Sequence, residues 1–187
     1  MMNLYSNVLF VHIVSALGLF LGYGVEWTVS ALLRHASTTD QARAWLRVYS
    51  VSPPVTGASL AVLILSGGWL AALTGGMYHA WLIVSVAGIV VALLIGFALI
   101  LPRVRAIRDA LPEGNEPLPP GALLQLQSSV LPTLIRVRVW LAVGIVYLMT
   151  AKPSLAASLI VLAASMVLGV LFSVMSWSRG SAKSAAA

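Results

Sequence analysis

The chain has 187 residues, of which 60% are hydrophobic and only 9% are charged. Soluble domains carry about 25% charged residues, so this composition indicates an integral membrane protein. The absence of cysteine excludes disulfides, thiol nucleophiles and iron–sulfur clusters. A net charge of +6 fits basic residues on the cytoplasmic side of a membrane, and no nucleic-acid partner is expected.

Five apolar stretches predict an all-α bundle of five transmembrane helices in one domain, residues 1–177. The predicted spans are residues 8–29, 55–73, 80–101, 133–150 and 155–176. The short turn between the second and third spans predicts that these two spans pack as an antiparallel hairpin. Pro102 is expected to close the third span, and residues 178–187 are expected to form a disordered cytoplasmic tail.

A short helix on the membrane surface is predicted between the first two spans, at residues 40–49. The run Ser-Thr-Thr-Asp that ends at Asp40 is typical of a helix start. Apolar side chains then recur at helical spacing, which is typical of a helix lying at the interface. These side chains are Ala42, Trp45, Leu46 and Tyr49. A helix that bridges the two spans is the alternative, and both interpretations can hold together.

The basic residues predict how the bundle crosses the membrane. Ten of the eleven Lys and Arg residues fall on one side of a five-span bundle, and Lys152 falls on the other. Basic loops mark the cytoplasmic side, so the amino terminus is expected outside and the carboxyl terminus in the cytoplasm. The expected location is the inner (cytoplasmic) membrane, with the lipid bilayer as the first partner.

The first span carries a stripe of polar and small residues. His12, Ser15, Leu19, Gly22 and Glu26 fall within a sector of roughly 80° on a helix that turns by about 100° per residue. Ionisable groups are costly to place in lipid, so this stripe is expected to face other helices.

His12 is the main candidate for a functional residue, because an imidazole in a membrane can ligate haem iron or another metal ion, or relay a proton. His79 begins the third span on the same outer side, which makes His12 and His79 a candidate pair of ligands for haem b. The alternatives are a structural His12 bonded to a neighbouring helix and an interfacial His79 without a ligand. No catalytic residue is indicated.

Glu26 lies near the cytoplasmic end of the same stripe, where Arg136 and Arg138 enter on the fourth span. An ion pair would lower the cost of holding a carboxylate in the membrane. A structural ion pair of Glu26 with these arginines is therefore predicted in preference to a proton-conducting role.

Gly18 and Gly22 form a GxxxG pair that, with Ser15, predicts close helix packing. The packing partner is either another helix of the bundle or a second copy of the chain. Glycines near His12 would also let a flat macrocycle approach the backbone.

Residues 9–27, LFVHIVSALGLFLGYGVEW, resemble the opening of several small bacterial membrane families. These are the CopD-like group, the HemJ-like protoporphyrinogen oxidases and uncharacterised proteins of the DUF2269 type. Residues 144–153 also resemble the late-helix ending of such uncharacterised families. The CopD-like and HemJ-like resemblance implies a metal or haem b role for His12 alone. No lysine lies inside a predicted span, which departs from a HemJ-type oxidase.

The leading functional expectation is a haem b or metal-binding membrane protein of electron transfer with its site near the outer face. Quinone or a periplasmic redox partner would exchange electrons there. The alternative is a non-catalytic transport protein or an accessory subunit of a larger membrane complex, with a homo-oligomer also open. The sequence does not decide whether the protein is an enzyme.

Overall fold

The computed structural model describes residues 4–75, 78–114 and 117–184, with side chains described up to residue 176. The helices are α1 (Leu4–Leu33), α2 (Thr39–Tyr49), α3 (Ser52–Leu73), α4 (Ala80–Leu94), a π-helical segment (Ile95–Ile100), α5 (Leu101–Asp109), α6 (Pro120–Gln127), α7 (Val130–Ala151) and α8 (Leu155–Ser184). Within these residues five helical stretches are long and apolar enough to cross a membrane. The prediction of an all-α protein with five spans is confirmed.

The first loop folds as its capping and apolar residues predict. The Thr38 side chain accepts a hydrogen bond from the Gln41 backbone N–H and so caps α2. Three of the four predicted apolar residues, Ala42, Leu46 and Tyr49, are buried. Helix α3 begins only three residues after α2 ends and has prolines in its first turn, where a missing N–H removes no helical hydrogen bond.

Helix pairing does not follow the order of the spans. Helix α3 packs along α1, whereas α4 packs along α7 and α8, and α1 also contacts α7. Helices α3 and α4 have almost no close approach within the described residues, so the predicted hairpin is wrong. The physical reason is that each of these helices packs several of its small residues against another neighbour. On α3, Ser59 and Thr56 lie against α1, and on α4, Gly88 lies against Ile145 of α7.

The third span continues beyond Pro102, which was expected to close it. A π-helical segment, Ile95–Ile100, precedes the proline, and α5 then extends to Asp109. Proline lacks an N–H and crowds the carbonyl four residues earlier, and a wider π turn accommodates that mismatch. The Arg103 side chain, next to the proline, donates a hydrogen bond to the Leu99 carbonyl oxygen at 2.7 Å.

The last helix is also longer than predicted. Helix α8 runs to Ser184, and residues 185–187 lie outside the described residues. The disordered tail at residues 178–187 stays a prediction. No proline interrupts the chain after Pro153, so the helical hydrogen bonds continue past the apolar span.

The polar stripe of α1 faces the protein. Ser15, Leu19, Gly22 and Glu26 are all buried, whereas the opposite face, which includes Leu21, is exposed. Gly18 and Gly22 pack against α3: a Cβ atom at Gly18 would collide with the Ser59 side chain, and one at Gly22 with the Thr56 side chain. In this chain the GxxxG pair packs one helix against another of the same bundle.

A larger residue at Gly22 should therefore separate α1 from α3. Gly22→Val is expected to lower stability by about 1 to 3 kcal/mol, the usual cost of overpacking. Gly24→Val is the matched control, because no atom lies within 4 Å of a Cβ atom at Gly24. Thermal unfolding in detergent measures both variants, and equal melting temperatures would contradict the packing.

The predicted orientation is tested by labelling, because the chain has no native cysteine. Ser154→Cys, in the turn between α7 and α8, should react with a membrane-impermeant maleimide on intact cells. Ser37→Cys, in the loop before α2, should react only after the membrane is opened. The reverse pattern would place the amino terminus in the cytoplasm.

Candidate functional site

A groove of about 390 Å³ lies between α3 and α4 and is called here the α3–α4 groove. It opens because these two helices do not pack on each other. Most of its lining is aliphatic, and His12 of α1 reaches it from behind α3. Its lining includes His12, Leu63, Gly67, Ile83, Ser85 and Met149. The groove is therefore an apolar cleft with an imidazole in its wall.

The hydrogen bonds around His12 assign its tautomer. His12 Nδ1 lies 3.0 Å from Ser66 Oγ, and Ser66 Oγ donates to the Val62 carbonyl oxygen at 2.6 Å. A hydroxyl has one proton, so we infer that Ser66 Oγ accepts from Nδ1, which assigns the proton of a neutral His12 to Nδ1. The other ring nitrogen, Nε2, then keeps a free lone pair and serves as a hydrogen-bond acceptor or metal ligand.

Gly67 fixes how closely the imidazole approaches α3. A Cβ atom at Gly67 would lie 2.9 Å from His12 Cε1, closer than side chains allow, so only glycine leaves room for the ring. Ser66 and Gly67 together hold the ring in one orientation beside the groove. His12 is half-buried, which leaves part of the ring accessible.

The structure does not bring His79 to this site. His79 precedes α4, is exposed, and its ring lies near Trp81, with the ring centroids 6.3 Å apart. It is not part of the described lining of the α3–α4 groove. The described residues also contain no group of three or more His, Asp or Glu side chains that could hold a metal ion. The two-histidine site stays a prediction.

A second cavity, of about 110 Å³, continues along the same cleft. It is lined by Tyr23 and Glu26 of α1 and by Arg138 of α7, and Leu93 lines both cavities. The cleft between α3 and α4 therefore has an imidazole at one end and a pair of charged residues at the other.

Glu26 and Arg138 form a buried ion pair at this second cavity. Arg138 Nη2 donates to Glu26 Oε2, and the two residues are 7% and 2% exposed, respectively. Ser52 Oγ of α3 lies 2.9 Å from the other carboxylate oxygen. The centre of the Tyr23 ring lies 4.3 Å from Arg138 Cζ, which adds a cation–π contact.

The arginine reaches this position because Gly96, in the π-helical segment, has no side chain. A Cβ atom at Gly96 would lie 2.6 Å from Arg138 Nη1. The sequence predicted a structural ion pair of Glu26 with both Arg136 and Arg138, and the structure places Arg138 alone of these two against the carboxylate.

Arg136 points to another part of the bundle. Its Nη1 donates to Ser173 Oγ of α8 at 2.9 Å, and its Cζ lies 5.5 Å from the centre of the Trp27 ring. Arg136 and Arg138 are two positions apart on α7, so their side chains point about 200° apart around the helix axis. They cannot both face Glu26.

The partners of α1 on α3 were not anticipated, although a signal was present. Ser52, Thr56, Ser59 and Ser66 recur along α3 at offsets of four, seven and fourteen residues, which places them on one face. That face matches the stripe of α1 contact by contact: Glu26 meets Ser52, Gly22 meets Thr56, and His12 meets Ser66.

The ion pair should show strong coupling in a double-mutant cycle. Glu26→Gln and Arg138→Gln each leave one buried charge unpaired, at an expected cost of about 3 to 5 kcal/mol. The double variant should lose less than the sum of the single losses. Unfolding in mixed micelles, followed by tryptophan fluorescence, measures the four proteins.

Arg136→Gln is the control for this cycle, because Arg136 contacts Ser173 and Trp27 rather than Glu26. It should show additive losses with Glu26→Gln. Additive losses for Arg138→Gln as well would contradict the importance of the buried pair.

Comparison with known proteins gives one family. The model of the DUF2269 family, described as a predicted integral membrane protein, matches residues 6–153, which cover α1 after its first two residues and extend past the end of α7. No curated protein and no solved structure matches the chain. The resemblance to DUF2269-type proteins is confirmed, and the chain belongs to the DUF2269 family of predicted integral membrane proteins.

Proposed function

We propose that the protein binds a lipid-soluble ligand with a hydroxyl group, of the quinol class, in the α3–α4 groove. The observation that carries this proposal is the position of His12. The Nδ1 atom of His12 is hydrogen-bonded to Ser66. This leaves Nε2 as the hydrogen-bond acceptor of an imidazole that lines an apolar cleft within the membrane.

The lining of the groove suits an amphipathic molecule. Its aliphatic side chains match an isoprenoid tail, and His12 supplies a hydrogen-bond acceptor for the head group. A quinol hydroxyl can donate to Nε2, whereas the carbonyl oxygens of the oxidised quinone can only accept. The protein should therefore prefer the reduced form, because the oxidised form would leave Nε2 without a donor.

Haem b ligation by His12 is the second candidate, and a specific contact favours it. Histidines that bind metals usually donate their other ring N–H to a fixed acceptor, as His12 Nδ1 does to Ser66. Bound haem would supply one-electron chemistry. His12 would hold it through Nε2, and Gly67 would leave room for the imidazole beside α3.

We place the protein in the inner membrane of a bacterial cell, with the His12 end of the groove toward the outer face. The support is the distribution of basic residues, of which ten of eleven fall on the other side. A ligand would then enter sideways from the lipid, and a periplasmic redox partner would meet the outer end. Transport and an accessory role in a larger complex are the competing functions.

A preference for the reduced ligand tests the proposal. The affinity of a short-chain quinol and of its quinone is measured for the purified protein in nanodiscs. The wild type should bind the quinol about 5- to 10-fold more tightly than the quinone, which corresponds to one hydrogen bond of roughly 1 kcal/mol. His12→Phe should bind both forms with similar affinity.

His79→Phe is the matched control, because His79 lies outside the described lining of the groove. It should keep the wild-type preference for the quinol. Absorbance spectra of the same proteins test the second candidate: a Soret band that disappears in His12→Phe and persists in His79→Phe would establish haem ligation. A colourless protein with no preference between quinol and quinone would favour transport or an accessory role.

A further inference from the structure

The arginine-rich end of the bundle carries a pocket that the groove does not involve. It has a volume of about 550 Å³ and lies between α2 and α5. Its described lining is Arg43, Leu46, Arg47, Ser50 and Arg108. Three of the five residues are arginines, and no carboxylate belongs to this described lining.

The pocket is held by a buried apolar cluster beneath it. Ala42 and Leu46 of α2 belong to the same cluster as Val104 and Ile107 of α5, and all four side chains are buried. The cluster also includes residues of α1 and α7, so α2 and α5 both rest on the same buried core. The arginines of the pocket are therefore carried by two helices that are anchored to that core.

Arg43 is fixed further by the chain that follows α5. Its Nη2 donates to the carbonyl oxygens of Leu111, at 3.2 Å, and of Pro112. Arg47 lies four residues later on α2, on the same face of the helix. Arg47 and Arg108 are exposed, so their guanidinium groups face the solvent at the mouth of the pocket.

Three like charges around one cavity repel each other, and an anion in the cavity would remove that repulsion. Guanidinium groups bind phosphate with paired hydrogen bonds, which makes arginine the usual residue for phosphate recognition. We propose that this pocket binds a phosphate-bearing anion between Arg47 and Arg108, with Arg43 as a fixed charge behind them.

The position of the pocket gives two sources for such a phosphate. Helix α2 forms the start of the second candidate span and α5 forms the end of the third. We therefore expect the pocket to lie at the level of the lipid head groups. The head group of an anionic phospholipid and a soluble phosphate present the same chemistry to the arginines.

Binding measurements on the full chain in nanodiscs test the proposal and separate the two sources. One arm uses phosphatidylcholine nanodiscs with added inorganic pyrophosphate, measured by calorimetry. The other uses nanodiscs that contain phosphatidylglycerol, with retained lipid counted by native mass spectrometry. The double variant Arg47→Gln and Arg108→Gln should bind about 20-fold more weakly in the arm that shows binding.

The matched control is the double variant Arg103→Gln and Arg105→Gln, which removes the same charge from exposed positions outside this pocket. It should stay within about threefold of the wild type, since general surface charge contributes less than a formed site. Binding of phosphatidylglycerol alone assigns a lipid, and binding of pyrophosphate as well assigns a soluble source. Equal losses in the two double variants, or no binding in either arm, would overturn the proposal.

Discussion

The contact between α1 and α3 is the interaction on which the rest of the structure depends. Hydrophobic residues cannot hold two helices together in lipid, because the acyl chains are equally apolar. Small residues and hydrogen bonds must do so instead. Four contacts follow one another along the two antiparallel helices, so the small and polar face of α1 packs on that of α3. These contacts join Glu26 to Ser52, Gly22 to Thr56, Gly18 to Ser59 and His12 to Ser66.

This pairing explains why a groove forms elsewhere. The small-residue face of a helix approaches most closely the neighbour against which it packs. Helix α3 packs that face against α1, and α4 packs Gly88 against α7. Helices α3 and α4 therefore remain apart although they follow each other in the chain. The lateral opening is a consequence of which faces match, and the short turn between the helices does not prevent it.

The two ends of the cleft have different physical characters. At one end the His12 imidazole, in contact with Ser66, lines an apolar groove. At the other end the Glu26–Arg138 pair joins α1 to α7, while Ser52 of α3 contacts the same carboxylate. Both ends fall within the residues that match the family, whereas most of α8 lies beyond them.

The sequence by itself determined the number of spans, the capped helix α2 and the polar stripe of α1, because hydropathy and helical periodicity are local properties of the chain. The sequence also predicted that Glu26 pairs with arginine, since an unpaired carboxylate is costly in a membrane. It did not anticipate the continuation of the helix beyond Pro102, because the wider π turn that accommodates the proline is not visible in the residue pattern.

Only the tertiary structure decided which helices pair, that Arg138 rather than Arg136 meets Glu26, and that Ser66 orients His12. The pocket that joins Arg43 and Arg47 to Arg108 is also a tertiary feature. The physical reason is that these contacts join residues far apart in the chain. Several apolar helices could cover one another equally well, and only the fit of small and polar faces selects among them.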